Sequence, residues 1–189
     1  MPWSAFGLAI DPARRILWVG SAGIPETAEV DTTEIGRGVV IGVDLESGQR
    51  IAELALPDDG REHVPGDLSV APDGTLFVSD ATAGVLWVLR PGAKGLEVLA
   101  GPDALVSPQG SALSADGRIL WLADYALGIL AVDPATGATR RVEQPWSPTL
   151  LGIDALLVDG EDLIAVQNGV RPARVLRIGV DPAGRAPER

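Results

Sequence analysis

The 189-residue chain has no cysteine, one histidine and one methionine. Without thiols it forms neither a disulfide nor a thiolate metal site, and it offers no cysteine nucleophile. One imidazole is too few for a zinc centre built on several histidines. A Ser-His-Asp triad would have to pass through His63, and the Gly-x-Ser-x-Gly elbow is missing. Basic residues are also scarce: 15 Lys and Arg stand against 26 Asp and Glu, a formal charge of -11. No basic stripe is present to neutralise phosphates, which argues against a nucleic-acid partner. No apolar run approaches the roughly 18 residues of a membrane-spanning helix. Met1-Pro2-Trp3-Ser4 lacks the basic-then-apolar layout of a signal peptide. The glycine-rich stretches follow no phosphate-loop spacing. None of these absences fixes a cellular compartment.

Glycine and proline, by contrast, are plentiful, with 23 and 15 copies, and they point to many turns rather than long helices. A hydrophobic content of 46% is enough for one well-buried core. The acidic surface suits solubility, and binds cations wherever carboxylates converge.

One phrase recurs along the chain. Gln109-Gly110-Ser111-Ala112-Leu113-Ser114-Ala115-Asp116-Gly117-Arg118-Ile119-Leu120-Trp121-Leu122-Ala123-Asp124 reads as a strand, a tight Asp-Gly turn, and a second strand ending on an acidic residue. Gly66-Asp67-Leu68-Ser69-Val70-Ala71-Pro72-Asp73-Gly74-Thr75-Leu76-Phe77-Val78-Ser79-Asp80 repeats it, and weaker copies surround Leu17 and Leu163. The equivalent leucines Leu17, Leu76, Leu120 and Leu163 are spaced by roughly 59, 44 and 43 residues, the period of a β-propeller blade. A third apolar strand follows each hairpin, around Val40, Trp87, Leu130 and Leu176, the last interrupted by Arg174 and Arg177 and so suited to an edge. A fourth strand is expected at 49–56, 96–100 and 139–143, with none evident in the last unit. The expected fold is therefore all-β, a propeller of four-stranded antiparallel blades. Four blades, at about 5–57, 64–101, 107–145 and 151–182, make one domain over 1–182, and 183–189 is a frayed tail. The first unit carries an acidic insert at 22–38. With the fourth blade incomplete, the segment before Phe6, further blades of a larger propeller, or a second copy of the chain would complete the array.

The phrases Pro108-Gln109-Gly110…Leu120-Trp121-Leu122-Ala123-Asp124 and Pro65-Gly66-Asp67-Leu68…Leu76-Phe77-Val78-Ser79-Asp80 resemble blades of the gluconolactonase/regucalcin (senescence-marker-protein) family of six-bladed propellers. Six blades at this period need roughly 260–280 residues, so the chain resembles about four of the six. The resemblance implies oxygen ligands at the inner-strand entrances around one divalent cation, calcium, in the central channel. It implies Gln109 at the family's Pro-Asn-Gly asparagine, with Asp67 and Asp154 at neighbouring entrances; the first unit offers Ala5-Phe6-Gly7, without the family's Glu. Each of the three can instead cap the turn before its strand.

Further polar positions recur. Asp80, Asp124 and Gln167 close the second strands, with Tyr125 and Asn168 following the latter two; they form a ligand-binding rim or pin the turns. Arg171 is a candidate for holding an anionic substrate group, and His63 for a proton shuttle. Trp18, Phe77 and Trp121 hold equivalent positions, which suits packing between blades. Three functions are compatible with this pattern. The chain is a ligand-binding or assembly propeller for a small molecule, a calcium-dependent lactone or ester hydrolase, or a structural repeat that oligomerises through exposed blade edges.

Overall fold

The computed structural model describes residues 3–142 and 149–180. They form four antiparallel sheets in which chain neighbours are sheet neighbours. The first holds β1 (Ser4–Asp11), β2 (Ile16–Ala22), β3 (Gly38–Asp44) and β4 (Arg50–Ala55). The second holds β5 (Pro65–Val70), β6 (Leu76–Asp80), β7 (Val85–Leu89) and β8 (Glu97–Ala100). The third holds β9 (Pro108–Leu113), β10 (Leu120–Asp124), β11 (Gly128–Val132) and β12 (Thr139–Arg141). The fourth holds β13 (Ile153–Asp159), β14 (Asp162–Gln167) and β15 (Arg174–Gly179). This is the all-β blade architecture expected from the repeats, with β15 at an edge. The expected tail at 183–189, the last two residues of the expected domain and Glu143 lie outside the described residues. The insert at 22–38 contains a short 3-10 helix, Thr32–Glu34, capped by the Asp31 carboxylate. Among the described residues no helix is long and apolar enough to cross a membrane.

The blades stack face to face, and this explains their sequences. A sheet with neighbours on both faces needs continuous apolar strands, whereas one with a single neighbour alternates. Val85-Leu86-Trp87-Val88-Leu89 and Gly128-Ile129-Leu130-Ala131-Val132 are buried at every residue. In β13 and β15, by contrast, buried or half-buried positions alternate with exposed ones. Three apolar clusters fill the three junctions. Trp18 and Val40 of the first blade meet Leu76, Val78 and Trp87 of the second. Phe77, Leu86 and Val88 meet Leu120, Leu122 and Leu130. Trp121, Ile129 and Ala131 meet Leu163, Ala165 and Ile178. The repeated aromatic thus faces the next blade each time, and its burial stabilises each junction by about 1.5–3 kcal/mol.

Strands β1, β5, β9 and β13 lie next to one another and form the inner edge of the stack. Two glycines let their backbones approach. A Cβ on Gly7 would sit 2.7 Å from the Asp67 Cα, and one on Gly110 would sit 2.6 Å from the Ala155 Cα. Real Cβ atoms do not come that close to backbone, so these positions require glycine. The inner strands carry the entrance residues, and their close packing sets the spacing of those residues.

Candidate functional site

Every inner strand is irregular near its start. The ladder slips between Pro65 and Asp67, around Gln109 and Gly110, and between Ile153 and Ala155. With the slips in register, Gln109 and Asp154 are equivalent, while Asp67 stands one position later, level with Gly110 and Ala155. Asp67 therefore points across the junction rather than along its own blade. Its Oδ2 accepts a hydrogen bond from the Ser111 amide of the third blade at 2.8 Å. Beside it, the Ser69 and Ser111 hydroxyls meet at 2.8 Å.

Burial raises the Asp67 carboxyl above the usual carboxylate range, and the amides of Ser111 and Leu68 partly offset this. The negative charge of Asp154 pushes it up further, so the two carboxylates share one electrostatic neighbourhood. Asp154 is exposed and accepts from Asn168 Nδ2 at 3.0 Å. Asn168 Oδ1 in turn accepts from the Tyr125 hydroxyl at 3.1 Å. Tyr125, Asn168, Asp154 and Asp67 thus form one polar surface across blades two to four, at the mouth where the inner strands begin. Antiparallel pairing explains how strand ends and strand starts come to share a face. Gln109 is half-buried and donates through Nε2 to Ser107 Oγ at 3.1 Å. Arg171 is exposed and pairs with no described residue.

The other candidates for the rim lie inside the blades. Asp80, Asp124 and Gln167 are fully buried, each spanning the loop that enters its blade and another segment. Asp124 Oδ2 accepts from the amides of Val106 and Ser107 at 2.8 and 3.0 Å, and its Oδ1 from those of Ala126 and Leu127, both at 3.0 Å. Asp80 Oδ1 accepts from the amides of Val64 and Ala83 at 3.1 and 3.2 Å. Gln167 reverses the polarity: its Nε2 donates to the carbonyls of Thr149 and Leu151, at 2.8 and 2.6 Å, and its Oε1 accepts from Arg174 Nε at 2.7 Å. These side chains pin turns, because strand-end acceptors satisfy loop amides that would otherwise be buried unpaired.

His63 belongs to the same internal network and is buried in the second blade. It is 1% exposed, with Nδ1 2.6 Å from Asp80 Oδ2 and Nε2 3.1 Å from Asp59 Oδ1. Trp87 Nε1 donates to the same Asp80 oxygen at 3.3 Å, and the His63 and Trp87 rings meet edge to face at 5.8 Å. Both imidazole nitrogens are occupied, so the ring locks the loop before β5. Sequence reasoning missed Asp59, four residues before His63, and Ser111 as the partner of Asp67. The first has a weak signal in the Asp-x-x-x-His spacing. The second depends on the strand slip and has none.

Among the described residues no group of three or more His, Cys, Asp or Glu side chains is placed to hold a metal ion. The mouth offers two carboxylates and amide oxygens. An open groove of about 600 Å³ runs beside the insert, between Trp3, Glu34, Arg37, Asp58 and Arg61, and shares no residue with the mouth.

The sequence matches no known family model and no curated protein. Solved structures do share its fold. A computationally designed protein, Ika4, superposes with a TM-score of 0.63 at 15% identity, over 96% of this chain and 94% of that one. A chain of a nidogen/laminin complex gives 0.59 at 14% identity, over 94% and 76%. A catalytically inactive virginiamycin B lyase from Staphylococcus aureus, with quinupristin, gives 0.60 at 13% identity, over 97% and 58%. The chain therefore spans somewhat over half the length of the lyase. At these identities the likeness shows a β-propeller scaffold, and it shows the fold alone.

Proposed function

We propose that the chain is a ligand-binding β-propeller domain whose inner-strand mouth takes a divalent cation, calcium in the first instance. The observation that supports this reading is the pairing of Asp67 with Asp154. One carboxylate is desolvated, and the charge of the other raises it further. A bound cation would relieve both the burial cost and the mutual repulsion. The donor set fits a hard ion, because every candidate ligand at the mouth is an oxygen and the single imidazole is locked inside the second blade. Asp67, Asp154 and the Gln109 carbonyl would hold it, with backbone and water oxygens completing the roughly 6–8 that calcium takes.

The gluconolactonase-like reading adds lactone or ester hydrolysis to the same cation. Binding is favoured over hydrolysis here, because His63 has no free nitrogen to move a proton at the mouth. A small molecule carried by the cation would meet Tyr125 and Asn168, with Arg171 in the adjoining loop. A second reading, an assembly module, is favoured by the bare apolar faces of the first and last blades.

Calorimetric titration of the full chain with calcium tests the cation reading. One saturable site in the wild type, lost in both Asp67→Ala and Asp154→Ala, is expected. Binding that persists in both variants places the ion elsewhere.

A further inference from the structure

The stack has two ends, and both are largely apolar sheet faces on which no described residue packs. On the first blade the outward face carries the cross-strand rows Leu8-Val19-Ile41 and Ile10-Leu17-Val43, ending at the outer strand on the ion pair of Glu53 and Arg50. Leu8 is 61% exposed and Ile10 57%. On the fourth blade it carries Leu157 with Ile164 and Arg177, the last paired with Asp159 and Asp162, and Ala155, Val166 and Val175 in a row. Leu157 is 63% exposed and Val175 67%. The two faces do not cover each other.

They are nonetheless the two halves of a junction this chain builds three times. Leu17 and Val19 hold the positions of Leu76 and Val78 in the second blade and Leu120 and Leu122 in the third, all 0% exposed against the preceding blade. Ile164 holds the position of Trp18, Phe77 and Trp121, each buried against the following blade. Among the described residues the first blade therefore has no predecessor and the fourth no successor. A fourth-blade face presented to a first-blade face repeats the internal junction.

We propose that two copies of this chain close head to tail into one ring, the fourth blade of each packing on the first blade of the other. The occupant of each bare face is then a second copy, and both interfaces are the same heterologous contact. Two chains of four blades make eight, inside the usual range of about 4–8 blades for a closed propeller, whereas three would make twelve. A head-to-tail contact that closes gives a ring, and one that does not gives a filament. The proposal is independent of the cation reading, and its test contains no calcium.

Light scattering during size-exclusion chromatography of the full chain, at tens of micromolar and in chelator, provides the test. The wild type is expected at about twice the 19.6 kDa chain mass. Leu8→Arg and Leu157→Arg are each expected to give a monomer, with an unchanged β-type circular dichroism spectrum, since both side chains are exposed. The absence of native cysteine permits a second arm. Leu8→Cys mixed with Leu157→Cys is expected to crosslink through a short bifunctional maleimide, and neither variant with itself. A monomeric wild type, a growing polymer, dissociation by only one of the two arginine variants, or self-crosslinking of a single cysteine variant overturns the proposal.

Discussion

Replacing Asp124 by alanine removes a fully buried carboxylate that receives four backbone amides. Two of them belong to the loop entering the third blade, and two to the turn between β10 and β11. Hydrogen bonds to a charged acceptor contribute about 1.5–3 kcal/mol each, but they are not additive when lost together. Part-buried amides also recover some of the loss from water. The expected cost is about 3–5 kcal/mol, the size seen when a buried charge network is broken. Asp124→Asn keeps one acceptor oxygen but sets an NH2 against two amide donors, so it should cost at least about half as much. Urea unfolding measures both, read as a lower midpoint at unchanged slope. A loss below about 1 kcal/mol for the alanine variant, the scale of an ordinary surface change, would mean that the loop is held by something other than Asp124.

Two further outcomes follow from the same structure. Trp121→Ala should cost about 3–5 kcal/mol in the same assay, since Trp121 fills the junction between the third and fourth blades at 4% exposure; a near-neutral result would place it in solvent. Acid should act with opposite signs on two sets of aspartates. The Ser47 hydroxyl and amide hold Asp44 below the usual carboxylate range, and the amides of Thr136 and Ala135 do the same for Asp133. Stability from these turns is present above the unfolded value of about 3.9 and is lost as pH falls through the lowered values. Asp67 is raised, so it costs nothing where it is protonated in both states, and its penalty appears as pH rises above about 3.9. In chelator, the melting temperature of Asp67→Asn relative to wild type should therefore climb between about pH 4 and 7. A flat or falling difference would show that Asp67 is not desolvated.

The hairpin repeat was legible because side-chain alternation, Asp-Gly turns and a fixed period are local signals. The unbroken apolar runs of β7 and β11 likewise announced strands, and the structure covers them on both faces. The site was less legible. Asp67, Gln109 and Asp154 look alike as residues opening a strand, yet Asp67 stands one position later on its strand than the other two, and this turns it across to Ser111. Asp80 and Asp124 read as turn pins or as rim, because their role depends on which side of the sheet holds the entering loop. His63 reads in the sequence as a proton-shuttle candidate, whereas Asp59 and Asp80 stand on either side of its ring. The bare end faces were partly legible. Arg174 and Arg177 break the last apolar strand, and the alternation of β13 and β15 marks a sheet covered on one side, while the arrangement in space shows that no described residue covers either end.

Thermal unfolding of the full chain in calcium and in chelator, at matched ionic strength, tests the cation reading most directly. Calcium at about 100 times its dissociation constant should add roughly 2.7 kcal/mol by binding only the folded state. The account predicts a saturable rise in the wild type that disappears in Asp154→Ala. No rise in the wild type, or an equal rise in the variant, would contradict it.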